Sequence, residues 1–301
     1  LTVLDTATFG SRPRVEEIGL AAPSDPTLPR NAFTIDVEDW YQSCLDYDAA
    51  ISDRVVRNTA RVLEVLEDAQ VKATFFVQGR VAETFPSLVH DLVAGGHEVQ
   101  AHGYSHRPLH RMGPRALRDE LERAKQTVED AAGSPVSAFR AQDFSVLADN
   151  LWALETMVEV GFEVDSSIFP MRSRHYGIAG WPLAPHHVVV ESGRLLEVPV
   201  AIGVLRGLRL PVAGGGYFRL LPERAIAAGL RSIAAAGRPA VVYCHPYEFN
   251  AEELAEYPGV QRSFRTTQGL GRRRFAARVR RLLEGADFGR LSDVLTAWGL
   301  A

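Results

Sequence analysis

The chain has 301 residues, 46% hydrophobic and 23% charged, with a net charge of −4. This is ordinary globular composition with ample core material, and it excludes a disordered, collagenous or disulfide-stapled chain. A negative balance offers no basic face for nucleic acid, no apolar run reaches the roughly 18 residues that span a bilayer, and the only cysteines, Cys44 and Cys244, form no CxxC.

Residues 1–30 hold SRPR and four prolines between Pro13 and Pro29, which reads as an extended arm. Regular structure is expected from Ala32. AFTIDVE (32–38) is strand-like. Residues 53–70 repeat Val55, Thr59, Val62, Leu63, Leu66 and Ala69 at helical spacing, with Asp53 as N-cap. ATFFV (73–77) is the next strand, followed by a helix over 86–96 that opens on Pro86. EVQAHG (98–103) precedes an amphipathic helix over 114–133, apolar at Leu117, Leu121, Ala124 and Val128. AFRAQ (138–142), a helix over 148–161 and FEVDSS (162–167) follow, then a hairpin over 188–200 turning at Ser192-Gly193. A helix over 222–237, the strand AVVYCH (240–245) and helical patterns near 270–284 and 288–298 complete the chain.

Repeated βα units argue for parallel strands, either in an open doubly wound sheet or in a closed barrel. No GxGxxG or GxxxxGK[ST] follows the first strand, so nucleotide binding has no motif support. Polar residues gather instead at the C-terminal ends of separate strands, where barrel enzymes carry their chemistry. These are Asp36, Glu38 and Asp39; His102 and His106; Arg140; Asp165; and His245. Two imidazoles four residues apart would share one face of a helical turn, and with one carboxylate they make a three-ligand site for zinc or a similar divalent ion. Unpaired acids are costly to bury. One acid is therefore expected to ligate the metal while another acts as general base.

TIDVED, HGYSH, FRAQDF, VDSSIFP and CHP, in this order, resemble the five motifs of the polysaccharide deacetylase family (NodB homology domain, carbohydrate esterase family 4). DVEDW, GGGYFRLLP (214–222) and CHPYEFN further resemble its exopolysaccharide-biosynthesis-associated branch, which carries a C-terminal extension. The resemblance implies an α/β fold, a distorted (β/α)7 barrel over 31–246, with an N-terminal arm over 1–30 and a C-terminal helical extension over 247–301 packed on it. It implies a metal-dependent hydrolase that removes N-acetyl groups from N-acetylhexosamine units of a glycan or glycan precursor. Residue by residue, it makes Asp36 the base, Arg140 its partner, His102 and His106 the metal histidines, His245 the proton donor and Asp165 the acid that buttresses it. The usual metal carboxylate position holds Val37, so the role passes to Glu38, with Asp39 second. Gln142 stands where the family has proline. The metal expected is Zn2+, with Co2+, Ni2+ or Mn2+ as alternatives.

A backbone N–H after Arg140, at Asp143, is expected to hold the oxyanion. Trp40, Tyr41 and Tyr217 are candidates for stacking on a sugar ring. His90, His97, His110, His175, His186 and His187 read as structural or loop histidines, Arg272–Arg274 as a solvated face, and Cys44 as no nucleophile. The competing readings are a related amidohydrolase of small linear or cyclic amides, and a non-catalytic glycan-binding barrel. With no basic stretch ahead of an apolar one in LTVLDTATFG, a cytoplasmic location is favoured; the oligomeric state is left open.

Overall fold

The computed structural model describes residues 13–23, 25–173, 176–257 and 259–301. The first half of the chain gives β1 (Arg14–Glu17), β2 (Asn31–Val37), α1 (Trp40–Cys44), α2 (Arg54–Asp68), β3 (Thr74–Val77), α3 (Gly79–Thr84), α4 (Pro86–Ala94), β4 (Glu98–Ala101), α5 (Pro114–Ala132) and β5 (Ala138–Phe139). The second half gives α6 (Ala153–Val160), β6 (Val164–Asp165), β7 (His186–Val190), β8 (Gly193–Glu197), β9 (Ile202–Leu205), β10 (Leu208–Pro211), α7 (Gly215–Leu220), α8 (Glu223–Ala235) and β11 (Val241–Cys244). After it come α9 (Arg262–Gly269), α10 (Phe275–Gly285), β12 (Phe288–Gly289) and α11 (Leu291–Ala297).

Seven strands run parallel in the order β11-β2-β3-β4-β5-β6-β8. Backbone beyond β8 then returns to β11: Ala201 N–H donates to Val241 O at 2.9 Å, and Tyr243 N–H donates to Ala213 O at 2.7 Å. The parallel run is thus brought round on itself as a distorted (β/α)7 barrel. β2 shows how its sequence serves two environments, because alternate side chains face opposite sides. Phe33, Ile35 and Val37 join the large apolar cluster shared with the outer helices. Ala32 joins a separate cluster with Ala138 and Val241, sealed by Leu291, Val294 and Leu295 of α11. Thr34 and Asp36, on the same side as Ala32, both meet the guanidinium of Arg140. The C-terminal helix therefore plugs the mouth where the strands begin and leaves the opposite mouth for polar chemistry.

The amphipathic helices follow their sequence periods. α2 buries Val55, Thr59, Val62 and Leu66, and α5 buries Leu117, Leu121, Ala124 and Val128 before ending at Gly133 in the left-handed conformation, φ 65°. Asp53 stands at the N-cap position of α2, yet its side chain makes no cap bond there. β5 and β6 hold only two residues each, because the polar ends of FRAQ and VDSS leave the ladder for the site. The arm differs from its sequence reading. Arg14–Glu17 pairs antiparallel with β7 and covers what would otherwise be an open sheet edge; residues 1–12 and 24 lie outside the described residues. Among the described residues, no helix is long and apolar enough to cross a membrane.

Candidate active site

Glu38, His102 and His106 converge just beyond the ends of β2 and β4. All three are buried, and they are the cluster among the described residues whose donor atoms lie close enough to share a metal ion, within 4.8 Å of one another. The His102–His106 segment is a loop, which corrects the helical turn expected from the four-residue spacing. Gly103 (φ 67°) and His106 (φ 65°) both adopt the left-handed region, and this folds the second ring back towards the first, 5.5 Å away. The left-handed φ favours glycine at 103, and the Gln142 amide packs where a side chain there would stand. The same amide donates to Arg107 O at 2.5 Å, so Gln142 pins the histidine loop from the neighbouring strand end. For His106, a left-handed conformation is a local strain of the kind that gathers at functional sites.

The donor set fits a cation. His102 Nδ1 lies 2.9 Å from the carbonyl oxygen of Arg140. A carbonyl only accepts, so this nitrogen carries the ring hydrogen and Nε2 presents its lone pair. That lone pair faces Glu38 Oε2 at 3.4 Å, and His106 Nε2 approaches the same oxygen more closely still. His106 Nδ1 is buried without a hydrogen-bond partner. Acceptors facing one another in a buried site need positive charge between them, from a proton or a metal ion. Electrostatics agree: burial opposes ionisation of Glu38, but His106 and the two imidazole contacts hold its carboxyl well below the usual range. Burial likewise pulls the His106 pKa down and Glu38 more than restores it, raising it overall.

Asp36 lies beside this trio, two residues before Glu38 on β2. Its Oδ1 accepts from Arg140 at 2.7 Å. Arg140 is wholly buried, donates also to Thr34 Oγ1 at 2.7 Å and Ser166 Oγ at 3.1 Å, and lies over the Phe76 ring at 4.2 Å. A planar fork held on three sides fixes the rotamer of Asp36 while leaving its second oxygen out of that bond.

His245 follows β11, the strand that pairs in parallel with β2, Cys244 against Ile35, so it stands at the strand end next to Asp36. Its ring stacks on Tyr247 at 4.9 Å and meets the edge of Tyr243 at 5.6 Å. Its Nδ1 lies 3.1 Å from Glu248 Oε2. Burial lowers the His245 pKa, yet the Glu248 contact and the charges of Glu38, Glu248 and Asp36 push it up to about 9.

Three expected roles do not match this geometry. Asp165 does not carry the recorded contact to His245, which is made by Glu248 instead. Its carboxyl bonds the Ser167 hydroxyl and lies within hydrogen-bond reach of Glu197. Both acids are wholly buried, and burial raises the pKa of each; two carboxyl groups in such contact cannot both ionise, which leaves one proton between them. Asp39 turns away from the histidines because it caps α1. It accepts from the N–H groups of Tyr41 and Gln42 at 3.0 and 3.1 Å, and from Ser52 N–H at 2.9 Å. Trp40 is wholly buried between Tyr257, Phe264, Tyr247 and Leu254, so its face is closed to a sugar.

Tyr217 is partly buried and stacks against Phe169 at 6.4 Å. Asp143 is exposed at the mouth in a left-handed turn, φ 56°, and its charge reaches His106 and Tyr47. Tyr41 stacks on Tyr257 at 4.7 Å. Arg272 corrects the solvated-face reading: it is buried, donates to Tyr247 O at 2.9 Å and lies over the Tyr247 ring, while Arg273 and Arg274 are exposed. Cys44 is an exposed free thiol. His186 opens β7, where a loop was expected, and His175 lies outside the described residues. Sequence reasoning missed Glu248 and Arg219. The signal for Glu248 was present, a glutamate three residues after His245 with a proline between them, the pattern of a capped turn.

Residues 44–159 match the family described as polysaccharide deacetylase, and residues 166–296 match one described as a domain of unknown function, DUF3473. A peptidoglycan deacetylase-like protein of Gibberella zeae is 31% identical over 147 residues, covering 47% of this chain and 42% of that protein. A peptidoglycan-N-acetylglucosamine deacetylase of Bacillus cereus is 32% identical over 98 residues, 32% of this chain and 36% of that protein. A chitooligosaccharide deacetylase of Bradyrhizobium is 40% identical over 73 residues, 24% of this chain and 33% of that protein. The aligned stretches thus span well under half of these relatives. Among solved structures, a Mycobacterium smegmatis protein assigned as a polysaccharide deacetylase superposes with a TM-score of 0.60 at 22% identity, covering 94% of this chain and 95% of that one. An allantoinase superposes with a TM-score of 0.62 at 15% identity, covering 92% and 93%. These two likenesses bear on the fold alone.

Proposed function

We propose that this chain, which carries a polysaccharide deacetylase domain, is a metal-dependent hydrolase that removes acetyl groups from N-acetylhexosamine units of a glycan. The observation that carries this reading is the buried Glu38, His102 and His106 trio, set with the Asp36–Arg140 pair and with His245 at the end of the strand beside β2. A glycan-binding barrel has no use for three buried donors that need a cation between them.

Glu38, His102 and His106 are the residues that would hold the ion, and their N/O donor set suits zinc. When bound, such an ion polarises an amide carbonyl and lowers the pKa of water. Asp36, aligned by Arg140, takes the proton of the attacking water, whose oxygen joins the acetyl carbon. The backbone N–H at Asp143 donates to the developing oxyanion. His245 gives its proton to the sugar nitrogen as the C–N bond breaks, so acetate and a free amino sugar leave. The similarity to deacetylases of peptidoglycan and chitooligosaccharides supports an N-acetylated glycan as substrate.

The test is acetate release from N-acetylglucosamine oligomers and peptidoglycan fragments, with the metal content of the purified protein measured alongside. Stoichiometric divalent metal and acetate release are expected. Hydrolysis of small cyclic amides without acetate release would overturn the substrate assignment, and activity that survives complete metal removal would overturn the metal role.

A further inference from the structure

We propose that Glu248 and Arg219 are positioning residues for His245, so that the region matching the domain of unknown function supplies the acid half of the active centre. The inference rests on the deacetylase reading for its chemistry, but its geometry stands separately. Glu248 is almost wholly buried and uses both oxygens. Oε2 accepts the backbone N–H of His245 at 3.0 Å and meets its Nδ1 at 3.1 Å, while Oε1 meets Arg219 Nε at 2.9 Å. The turn Pro246–Phe249 makes this reach short, because residue 248 comes back beneath residue 245.

The order of charges along this chain of contacts matters. A buried histidine facing a lone carboxylate can discharge by passing its proton across, which leaves two neutral groups. Arginine cannot give up a proton in a protein. Arg219 therefore keeps Glu248 ionised, and ionised Glu248 keeps the proton on His245. With Nδ1 committed to Glu248 and the ring flattened on Tyr247, Nε2 is the nitrogen left to donate. Burial alone would push the Glu248 pKa up, and the contacts with His245 and Arg219 bring it below the usual value. Glu38 and Asp36 at the end of β2 also act on His245 and favour its charged form, while His106 is coupled to it as a like charge. Tyr243, Tyr247 and Cys244 flank the pair and stay neutral because burial raises all three thiol or phenol pKa values.

Arg219 is itself held. It donates to Gln268 O and to Leu270 O, the latter at 3.1 Å, and its own carbonyl accepts from Arg278. Gly214 brings its loop against β11 closely enough that any side chain there would collide with the Tyr243 carbonyl. His245, Glu248, Arg219 and the segments that fix them all lie within residues 166–296, whereas Asp36, Glu38, His102, His106 and Arg140 precede it.

The test is an NMR titration of the His245 ring in metal-loaded full-length protein, with Glu248→Gln and Arg219→Gln as variants. Glu248→Gln is expected to lower the His245 midpoint by about one unit or more, the scale of losing an adjacent carboxylate, and Arg219→Gln by less. On activity, Glu248→Gln should lose about 10²-fold on an N-acetyl sugar while changing little on 4-nitrophenyl acetate, whose leaving group needs no proton. A folded variant with an unmoved midpoint, or with equal losses on amide and ester, would overturn the positioning role. If Glu248→Gln does not fold, Arg219→Gln carries the same readouts. Wild-type protein that releases no acetate, yet shows the shifted midpoint in the variant, strikes the deacetylase reading and leaves the contact relay standing.

Discussion

The main-chain carbonyl of Arg140 orients His102 at 2.9 Å, while the guanidinium of the same residue holds Asp36 at 2.7 Å. One residue thus aligns a candidate metal ligand through its backbone and the candidate base through its side chain. Substitution separates the two tasks. Arg140→Lys keeps the carbonyl, so metal retention should be unchanged, but a single ammonium cannot reach Asp36, Thr34 and Ser166 together. The expected loss in rate is on the order of 10²-fold, the range for impaired general-base function. Wild-type rates in a metal-replete Arg140→Lys protein would show that Asp36 needs no such partner. Arg140→Ala should in addition destabilise by about 3–5 kcal/mol, because Asp36 would be left as an uncompensated buried charge.

The two neighbouring acids should behave differently on substitution. Glu38→Gln is expected to lose bound metal along with activity, as are His102→Ala and His106→Ala, since each removes one of three donors. Asp39→Asn should retain the metal and lose stability by about 1 kcal/mol, because asparagine can still cap α1 through one oxygen but its amide nitrogen cannot accept from Ser52 N–H. Metal analysis after gel filtration, paired with thermal melts, reads both. Loss of metal from Asp39→Asn with a normal melting temperature would make Asp39 the ligand.

Much of the barrel was legible because its strands and helices repeat apolar residues at periods that only one structure satisfies. α5 and β3 are examples, each within a residue of the sequence reading. The strand-end acids and histidines stood out because buried apolar strands rarely end in so many charges. What could not be read was direction. Asp39 and Glu38 adjoin in sequence, but a helix begins between them and Asp39 is spent as its cap. Trp40 follows at once and is turned inward, under aromatic residues that arrive more than two hundred positions later. Arg272 looked solvated within RRR, yet the carbonyls of Tyr247 and Asn250 receive it in the interior. Long-range cover of this kind leaves no local period to detect.

The pH dependence follows from His245. As donor it must be protonated, and its pKa is pushed up to about 9 by the Glu248 hydrogen bond and the charges of Glu38, Glu248 and Asp36, against burial. The rate should therefore hold through neutral pH and fall about tenfold per unit above that pKa. Asp165→Asn should leave this limb where it is, because Asp165 faces Glu197 and Ser167. The asparagine N–H can also replace the shared proton, so little stability should be lost. A limb moved towards acid in Asp165→Asn would restore that residue as the buttress of His245.

Stability should carry its own pH signature through His97. Its Nδ1 accepts the backbone N–H of Ala73 at 3.2 Å, and the ring meets the edge of Phe75 at 5.1 Å. An accepting nitrogen must be unprotonated. Burial first, then the charges of Lys72 and Arg290, lower the His97 pKa to about 4. The unfolded chain takes up this proton at about 6.5, before the folded chain does. The contribution is therefore complete above about 6.5, falls as pH drops towards 4, and is constant below both values. His97→Asn supplies an oxygen in place of Nδ1 and removes the titration. Thermal melts between pH 7 and 4 should show a shallower decline in the variant than in the wild type. A difference of about 1 kcal/mol would read as roughly 2–4 °C in Tm. Parallel curves for the two proteins would mean that His97 does not contribute to acid sensitivity.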